Sequence, residues 1–249
     1  MTRAPLAGFL AQNPFPHPLT DGLFYREKMR AIHRVAPPSL ETAAGVTRVL
    51  EVGGGRSGLA AMLYPGSAVT TLDMDASLRE GLTLRPGCSF VCGDACNLPF
   101  PDASFDLVTL LDVLEHIPDD DRAAREAMRV LKPGGTLLVS TPNADWRYPY
   151  HGFMKPIAPP EAALMSEWGH VRRGYTRQGL EALFGKPPQA SATFVNARTA
   201  LYHDVAFSRL GRLSRLAFYG LAAPIAALGY LAHRHDTPGT ETAFAWRAE

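Results

Sequence analysis

An α/β fold, doubly wound about a mostly parallel sheet, follows from three observations. Apolar runs of strand length alternate with amphipathic runs of helix length, giving the order β-α-β-α-β-β-α-β through residue 141. The run R-V-L-E-V-G-G-G-R-S-G-L-A over residues 48–60 joins an apolar, β-branched strand to three glycines and a helix start. Acidic residues then stand where strands end: Asp73 after 68–72, Asp94 after 89–92 and Asp112 after 107–111. In open sheets of this kind ligands sit at the carboxyl ends of the strands.

The totals bound the rest. With 249 residues, 46% of them hydrophobic, the chain has material for one full domain plus an insertion or cap, and not for a second large domain. A formal charge of +1 supplies no field to draw nucleic acid, so no nucleic-acid partner is expected. Cys88, Cys92 and Cys96 are evenly spaced, but S-F-V-C-G-D between them reads as a strand entering a turn, which keeps the thiols apart. No metal is expected, and reduced cysteines fit a cytoplasmic location. The N-terminal M-T-R-A-P-L-A-G-F-L-A-Q-N-P has too short an apolar run for a signal peptide.

Taken in order, residues 1–22, with Pro5, Pro14, Pro16 and Pro18, read as an irregular arm. Residues 24–35 form an amphipathic helix with Tyr25, Met29, Ile32 and Val35 inward, stopped by Pro37 and Pro38. That helix, the end of an N-terminal unit over 1–45, either closes over the ligand site or only packs on the sheet. Strand 48–52 leads to Gly53, Gly54 and Gly55, which leave room for a ligand against the backbone. Ser57 is expected to cap the helix that carries Leu59, Ala60 and Met62. Strand 68–72 ends in Asp73, whose carboxylate suits a pair of ribose hydroxyls. A short helix over 76–82 precedes a strand at 89–92 and the turn Gly93-Asp94-Ala95.

A turn-rich stretch, L-P-F-P-D-A-S-F-D, then precedes the strongly apolar strand 107–111, which ends in Asp112. Asp119, Asp120 and Asp121 open a helix with Ala123, Ala127, Val130 and Leu131, and serve there as dipole partners and caps, not metal ligands. Lys132-Pro133-Gly134-Gly135 is expected to close that helix before strand 136–141. Residues 144–174 read as a long aromatic loop, the kind of segment that is commonly functional in a compact domain. Helix 176–184, capped by Thr176, and strands at 191–195 and 241–246 complete the core. The core is thus assigned to 46–198, with a terminal strand unit over 237–249 and a helical insertion over 199–236.

The insertion places Arg209, Arg212 and Arg215 three residues apart, each followed by leucine, and then runs from 216 to 232 without a charge. A membrane span wants about 20 apolar residues; this run is Ala-rich, contains Pro224 and lies between two strands of one sheet, which argues against spanning. Packing on the domain, a homodimer contact through 209–233, a lipophilic substrate beneath it, or a resting place on an anionic membrane surface all remain open. Each of them leaves Arg212 in solvent.

Gly53, Gly55 and Gly58 also fit G-x-G-x-x-G, so an NAD(P)-dependent reductase is the first alternative. Three features oppose it. Glu51 would bring negative charge close to a pyrophosphate, Asp94 adds a second acidic contact, and the insertion stands in place of a second mononucleotide half. Carboxylates without phosphates suit a cationic ligand. S-adenosylmethionine, with an ammonium, a sulfonium, a ribose diol and an adenine amine, fits that description.

V-L-E-V-G-G-G, T-L-D-M-D, G-D-A-C-N-L-P-F-P-D-A-S-F-D-L-V, D-V-L-E-H-I-P-D and R-V-L-K-P-G-G-T-L-L-V-S-T-P-N resemble, in order, the successive motifs of class I S-adenosylmethionine-dependent methyltransferases, most closely the small-molecule subgroup called type 11. The resemblance covers roughly residues 47–143, with a fainter echo in G-H-V-R-R-G-Y-T-R-Q-G-L. It implies a Rossmann-like, seven-stranded sheet and S-adenosylmethionine as cofactor, with S-adenosylhomocysteine as product. It also implies roles: Glu51 on the methionine ammonium, Gly53, Gly54 and Gly55 as the close-approach loop, Asp73 on the ribose, Met74 against adenine, Asp94 and the Ala95 amide on the adenine edge, and Asp112 facing the methionine part or the acceptor. The family often has G-x-G-x-G, whereas Arg56-Ser57-Gly58 adds a residue, which leaves the third glycine's contact open.

Methyl transfer is an in-line displacement at carbon, for which positioning supplies most of the acceleration. A base is needed only where the acceptor must lose a proton. His116, His151 and His170 are the candidates, with Trp146, Tyr148 and Tyr150 as pocket walls. The expected enzyme methylates a small hydrophobic acceptor (a quinone, polyketide, lipid or lipid-linked sugar) at oxygen first, at carbon or nitrogen second. A non-catalytic S-adenosylmethionine-binding protein is the remaining alternative.

Overall fold

A computed structural model of the chain describes residues 20–37, 47–55, 57–80, 87–234 and 236–249. Of the irregular arm expected over 1–22, residues 1–19 lie outside them, as do Pro38, Arg56 and residues 81–86, while 20–22 are not irregular but already belong to the first helix, Thr20–Val35. The described residues form one seven-stranded sheet: β1 (Arg48–Val52), β2 (Ala68–Asp73), β3 (Cys88–Cys92), β4 (Phe105–Leu111), β5 (Leu131–Pro142), β6 (Ala190–Phe194) and β7 (Glu241–Arg247). Their spatial order is β3-β2-β1-β4-β5-β7-β6. All pairings are parallel except the two made by β7, which runs antiparallel to both β5 and β6.

Helices cover both faces, so the central strands are apolar on both sides. On one face α1 (Thr20–Val35) and α2 (Leu59–Leu63) bury Ile32 and Leu63 against Val49 and Leu107. On the other, α3 (Asp120–Arg129) and α5 (Arg177–Phe184) bury Ala123, Ala127 and Leu180 against Leu50, Val108 and Trp246. The inward set of α1 is as expected: Met29 and Ile32 are buried, and Tyr25 and Val35 pack against the same core.

Four local expectations need correcting. Ser57 does not cap α2: the cap position belongs to Gly58 in the left-handed region, and the Ser57 hydroxyl donates to the Gly54 carbonyl at 2.9 Å. Helix α3 ends at Arg129, earlier than expected, and Leu131 already pairs with Phe105 in the parallel ladder. Lys132-Pro133-Gly134-Gly135 is therefore the irregular start of β5, with a register shift between Phe105 and Leu107, and not a helix stop. The helix anticipated at 76–82 opens with a 3-10 turn over Ala76–Leu78 and is α-helical at Arg79 and Glu80, beyond which it lies outside the described residues. The aromatic stretch is not all loop either: it holds a 3-10 segment at Gly152–Ile157 and α4 (Glu161–Trp168). Its apolar residues Met154 and Leu164 are buried, which gives these short helices an inner side. Thr176 does cap α5, its hydroxyl oxygen accepting from the Gly179 amide at 3.0 Å.

Between β6 and β7 the chain forms α6 (Ala197–Ala206) and α7 (Arg212–Ala232). Asn196 donates from Nδ2 to the Gly229 carbonyl at 2.9 Å, and a Cβ at Gly229 would come within 2.6 Å of Arg198 Cβ, so a glycine is what allows the two helices to touch. Arg30 of α1 donates to the Tyr230 carbonyl at 2.6 Å. This anchors one side of α7. The other side carries Leu213, Leu221, Leu228 and Leu231, each 63–81% exposed.

Candidate active site

Because β1 to β4 run parallel, their carboxyl ends lie along one edge, and the register pairs Val52 with both Leu72 and Leu110. The chain order reverses between β1 and β4, which opens the crevice where such sheets bind ligands. The glycine loop is built to fit it. Gly53 has φ +65° and a Cβ there would lie 2.6 Å from Val113 Cγ2; at Gly54 it would lie 2.4 Å from Thr71 Cγ2. A Cβ on Gly55 would meet nothing within 4 Å, so that glycine faces open space and is required by its φ of +52°.

The carboxylates are placed as follows. Glu51 is buried, with Oε1 accepting from the Ala60 amide and Oε2 from the Thr71 hydroxyl, both at 2.9 Å, and it lines the cavity. Asp73 accepts from the Gly55 amide at 2.9 Å and from the Asp75 amide at 3.0 Å, which ties the β2 end to the glycine loop. Met74 beside it is 76% exposed. Asp94 accepts from the Cys96 amide at 2.8 Å, closing the turn that contains Ala95. Asp112, in the left-handed region at φ +55°, accepts from the Ser140 hydroxyl at 2.6 Å and pairs with the ammonium of Lys28.

A cavity of about 580 Å³ runs from Glu51 and Gly53–Gly55 past Asp112 to an aromatic wall of Trp146, Tyr148, Trp168 and Phe207. Trp168 joins that wall together, with ring centroids 5.7 Å from Trp146 and 4.9 Å from Phe207. Asp73, Met74, Asp94 and Ala95 are not part of the cavity lining; they flank it on the β2 and β3 side. Helix α1 both packs on the sheet and lines the cavity through Phe24, Tyr25 and Lys28, so the two alternatives posed for it are not exclusive.

The three histidines separate. His116 and His170 meet edge-to-face with centroids 4.6 Å apart, and both line the cavity. Burial, then the neighbouring His116, lowers the His170 pKa to about 4. His151 is elsewhere: its Nδ1 lies 2.7 Å from Asp204 Oδ2, and it is not among the lining residues. Buried Asp204 also accepts from the Tyr150 and His151 amides at 2.8 and 2.9 Å, clamping the aromatic segment to α6. The cysteines form no disulfide and do not converge; Cys92 Sγ contacts the Met74 carbonyl and Cys96 Sγ that of Asp119.

Four residues of this region escaped the sequence reading. Lys28 is buried with its ammonium 4.9 and 5.1 Å from the Phe24 and Tyr25 ring centroids. Burial alone would lower its pKa, but Asp112, with Tyr25 and Glu241 behind it, outweighs that and raises it. Its signal was present, since position 28 falls within the inward stripe 25, 29, 32 of α1. Burial and Asp112 raise Glu115 to about 8, and burial raises Glu241 as well. Asp204 is the only acidic residue between Glu181 and Asp236, a spacing that could have marked it.

A family model described as a methyltransferase domain matches residues 50–139, the stretch that builds the glycine loop and all four strand ends. Residues 50–139 carry a methyltransferase domain. The chain is 34% identical over 157 residues to the 2-methyl-6-phytyl-1,4-hydroquinone methyltransferase of Synechocystis sp., covering 59% of this chain and 48% of that protein. Over 120 residues it is 40% identical to the ubiquinone/menaquinone biosynthesis C-methyltransferase UbiE of Xanthomonas campestris, covering 43% and 47%. The chain thus spans about half the length of these curated relatives. The solved structure of the SAM-dependent methyltransferase TM1293 from Thermotoga maritima superposes over 93% of both chains with a TM-score of 0.59 at 17% identity, a likeness of fold. The domain match, which includes the glycine loop, sets the dinucleotide reading aside.

Proposed function

We propose that this methyltransferase binds S-adenosylmethionine along the β3-β2-β1-β4 strand ends and passes its methyl group to a small apolar acceptor held against Trp146, Tyr148, Trp168 and Phe207. The observation that carries this reading is the single cavity that joins the glycine loop to the aromatic wall. Each Asp73 oxygen accepts one hydrogen bond, from the Gly55 and Asp75 amides. A carboxylate has roughly four lone-pair sites, so Asp73 keeps capacity for the ribose hydroxyls, while Glu51 meets the methionine ammonium from the cavity wall. Met74 offers an exposed face to adenine, while Asp94 and the Ala95 amide take its edge. Asp112, fixed by Lys28 and Ser140, sets the floor between donor and acceptor.

The acceptor is an electron-rich aromatic hydroxyl compound of the phenol or quinol type. Oxygen leads on sequence grounds, but the relatives' names favour a ring carbon, and in both cases one C–S bond breaks, one bond to the acceptor forms and one proton leaves. Most of the acceleration comes from holding the two partners in line. His116 and His170 share the acceptor wall. The exposed leucines of α7, flanked by exposed Arg209 and Arg212, rest on an anionic bilayer at the cytoplasmic face and bring the cavity to where such acceptors dissolve.

Incubation with methyl-labelled S-adenosylmethionine and a panel of alkylated hydroquinones and phenols tests the reading. Labelled product with equimolar S-adenosylhomocysteine is expected. Tight cofactor binding with no product across the panel would favour a non-catalytic binding protein.

A further inference from the structure

Beside the aromatic wall, Glu115, His116 and His170 each offer a donor atom, and these atoms lie within 4.8 Å of one another. Ligands of one tetrahedral ion at zinc distances stand about 3.3–3.6 Å apart, so each side chain need close in by less than about 1 Å. Two of the three residues hold an atom with nothing to bind. Glu115 Oε1 and His170 Nδ1 are enclosed by protein and make no hydrogen bond. Such atoms are rare in folded proteins because each loses its hydration without a replacement.

The third residue is oriented for ligation. His116 Nδ1 lies 3.3 Å from the Gly169 carbonyl, which places the proton on Nδ1 and leaves the Nε2 lone pair exposed. A backbone carbonyl on the far nitrogen is the usual support of a metal-bound histidine. The backbone also fixes the two segments together: the Glu115 carbonyl accepts from the Val171 and Arg172 amides at 3.0 and 3.3 Å. The Arg172 guanidinium binds the Leu114 and Ile117 carbonyls at 2.7 and 2.6 Å.

We infer that Glu115, His116 and His170 hold one first-row divalent cation, with zinc as the representative ion, on the acceptor side of the cavity. Two imidazoles and one carboxylate suit zinc and its neighbours better than magnesium or calcium, which prefer all-oxygen sites. All three residues line the cavity, so positions of the ion left open by the protein face the acceptor. There it would bind the acceptor hydroxyl oxygen and favour its ionised, more nucleophilic form. The use of the ion rests on the methyl-transfer reading; its binding does not.

The test uses the full chain, freed of any purification tag and stripped with EDTA. Zn²⁺ is followed by calorimetry and Co²⁺ by visible absorption, with neither cofactor nor acceptor present. One ion per chain is expected, with a raised Tm, ligand-field bands from Co²⁺ and no thiolate-to-cobalt charge-transfer band. Removing a ligand in His116→Ala or His170→Ala should weaken binding by at least about tenfold, while Cys92→Ser with Cys96→Ser leaves it unchanged. If the alanine variants do not fold, His170→Gln and Glu115→Gln serve in their place. Absence of saturable binding, or binding lost in the cysteine variant and kept in the histidine variants, overturns the inference. Because no turnover is read, failure of methyl transfer and failure of ion binding are told apart.

Discussion

Replacing Lys28 by methionine tests how the N-terminal helix is joined to the active-site floor. The Lys28 side chain is 3% exposed and its Asp112 partner 21%. Breaking a buried pair by removing one member costs about 3–5 kcal/mol, because the remaining charge is left uncompensated. Asp112 keeps the Ser140 hydroxyl at 2.6 Å and some contact with water, which places this case at the low end, about 3 kcal/mol. Methionine preserves contact with the Phe24 and Tyr25 rings, so the loss is electrostatic and not a cavity. In a chain of this length, that corresponds to a Tm lower by roughly 6–12 °C. Urea unfolding of the wild type, both single variants and Lys28→Met/Asp112→Asn measures the coupling, expected at about 2 kcal/mol. A single-variant loss below about 1 kcal/mol, or strict additivity in the double variant, would refute the argument that this pair fastens α1 to the β4 end.

Gly54→Ala should abolish cofactor binding and lower stability by about 1–3 kcal/mol, because its Cβ would lie 2.4 Å from Thr71 Cγ2 and 2.7 Å from Glu51 Oε2. Gly55→Ala meets open space and should show only the conformational strain of about 1 kcal/mol in chemical denaturation. Asp106 gives a pH signature. Burial alone would raise its pKa, but Lys132 Nζ at 2.7 Å and the Arg48 amide at 2.8 Å outweigh that and hold it below its ordinary 3.8. A depressed folded-state pKa contributes stability above 3.8 that is lost as pH falls further. Asp106→Asn should therefore be less stable than wild type at neutral pH, by up to about 1 kcal/mol given the exposure of Lys132, and the gap should close in acid-unfolding curves below the carboxylate range. Leu221→Glu with Leu228→Glu, both on the exposed side of α7, should abolish flotation with anionic liposomes while leaving cofactor affinity unchanged.

The succession of strands along the chain and the strand-end acids were legible because the central strands are short, apolar on both faces and punctuated by glycine or aspartate. Residues 48–60 and 68–73 carry the cofactor-side pattern almost by themselves. What the sequence hid is non-local. Leu131 could not be placed in a strand without knowing that it pairs with Phe105. The short helices within 144–174 have weak periodicity, and the 3-10 segment contains Pro156. Lys28 lies 84 positions from Asp112 and Asp204 lies 53 from His151, so neither pairing leaves a local trace. The histidines were singled out as one group by type, yet the structure divides them: His116 and His170 face the cavity, while His151 is held by Asp204.

Calorimetric titration with S-adenosylhomocysteine, set against NADH, bears most directly on the claim that acidic strand ends grip a cationic amino-acid nucleoside. One site for S-adenosylhomocysteine and none for NADH is expected. Asp73→Ala should weaken that site by about 1.5–3 kcal/mol, the scale of hydrogen bonds to a charged group. Uptake of NADH with indifference to S-adenosylhomocysteine, or full affinity in Asp73→Ala, would contradict it.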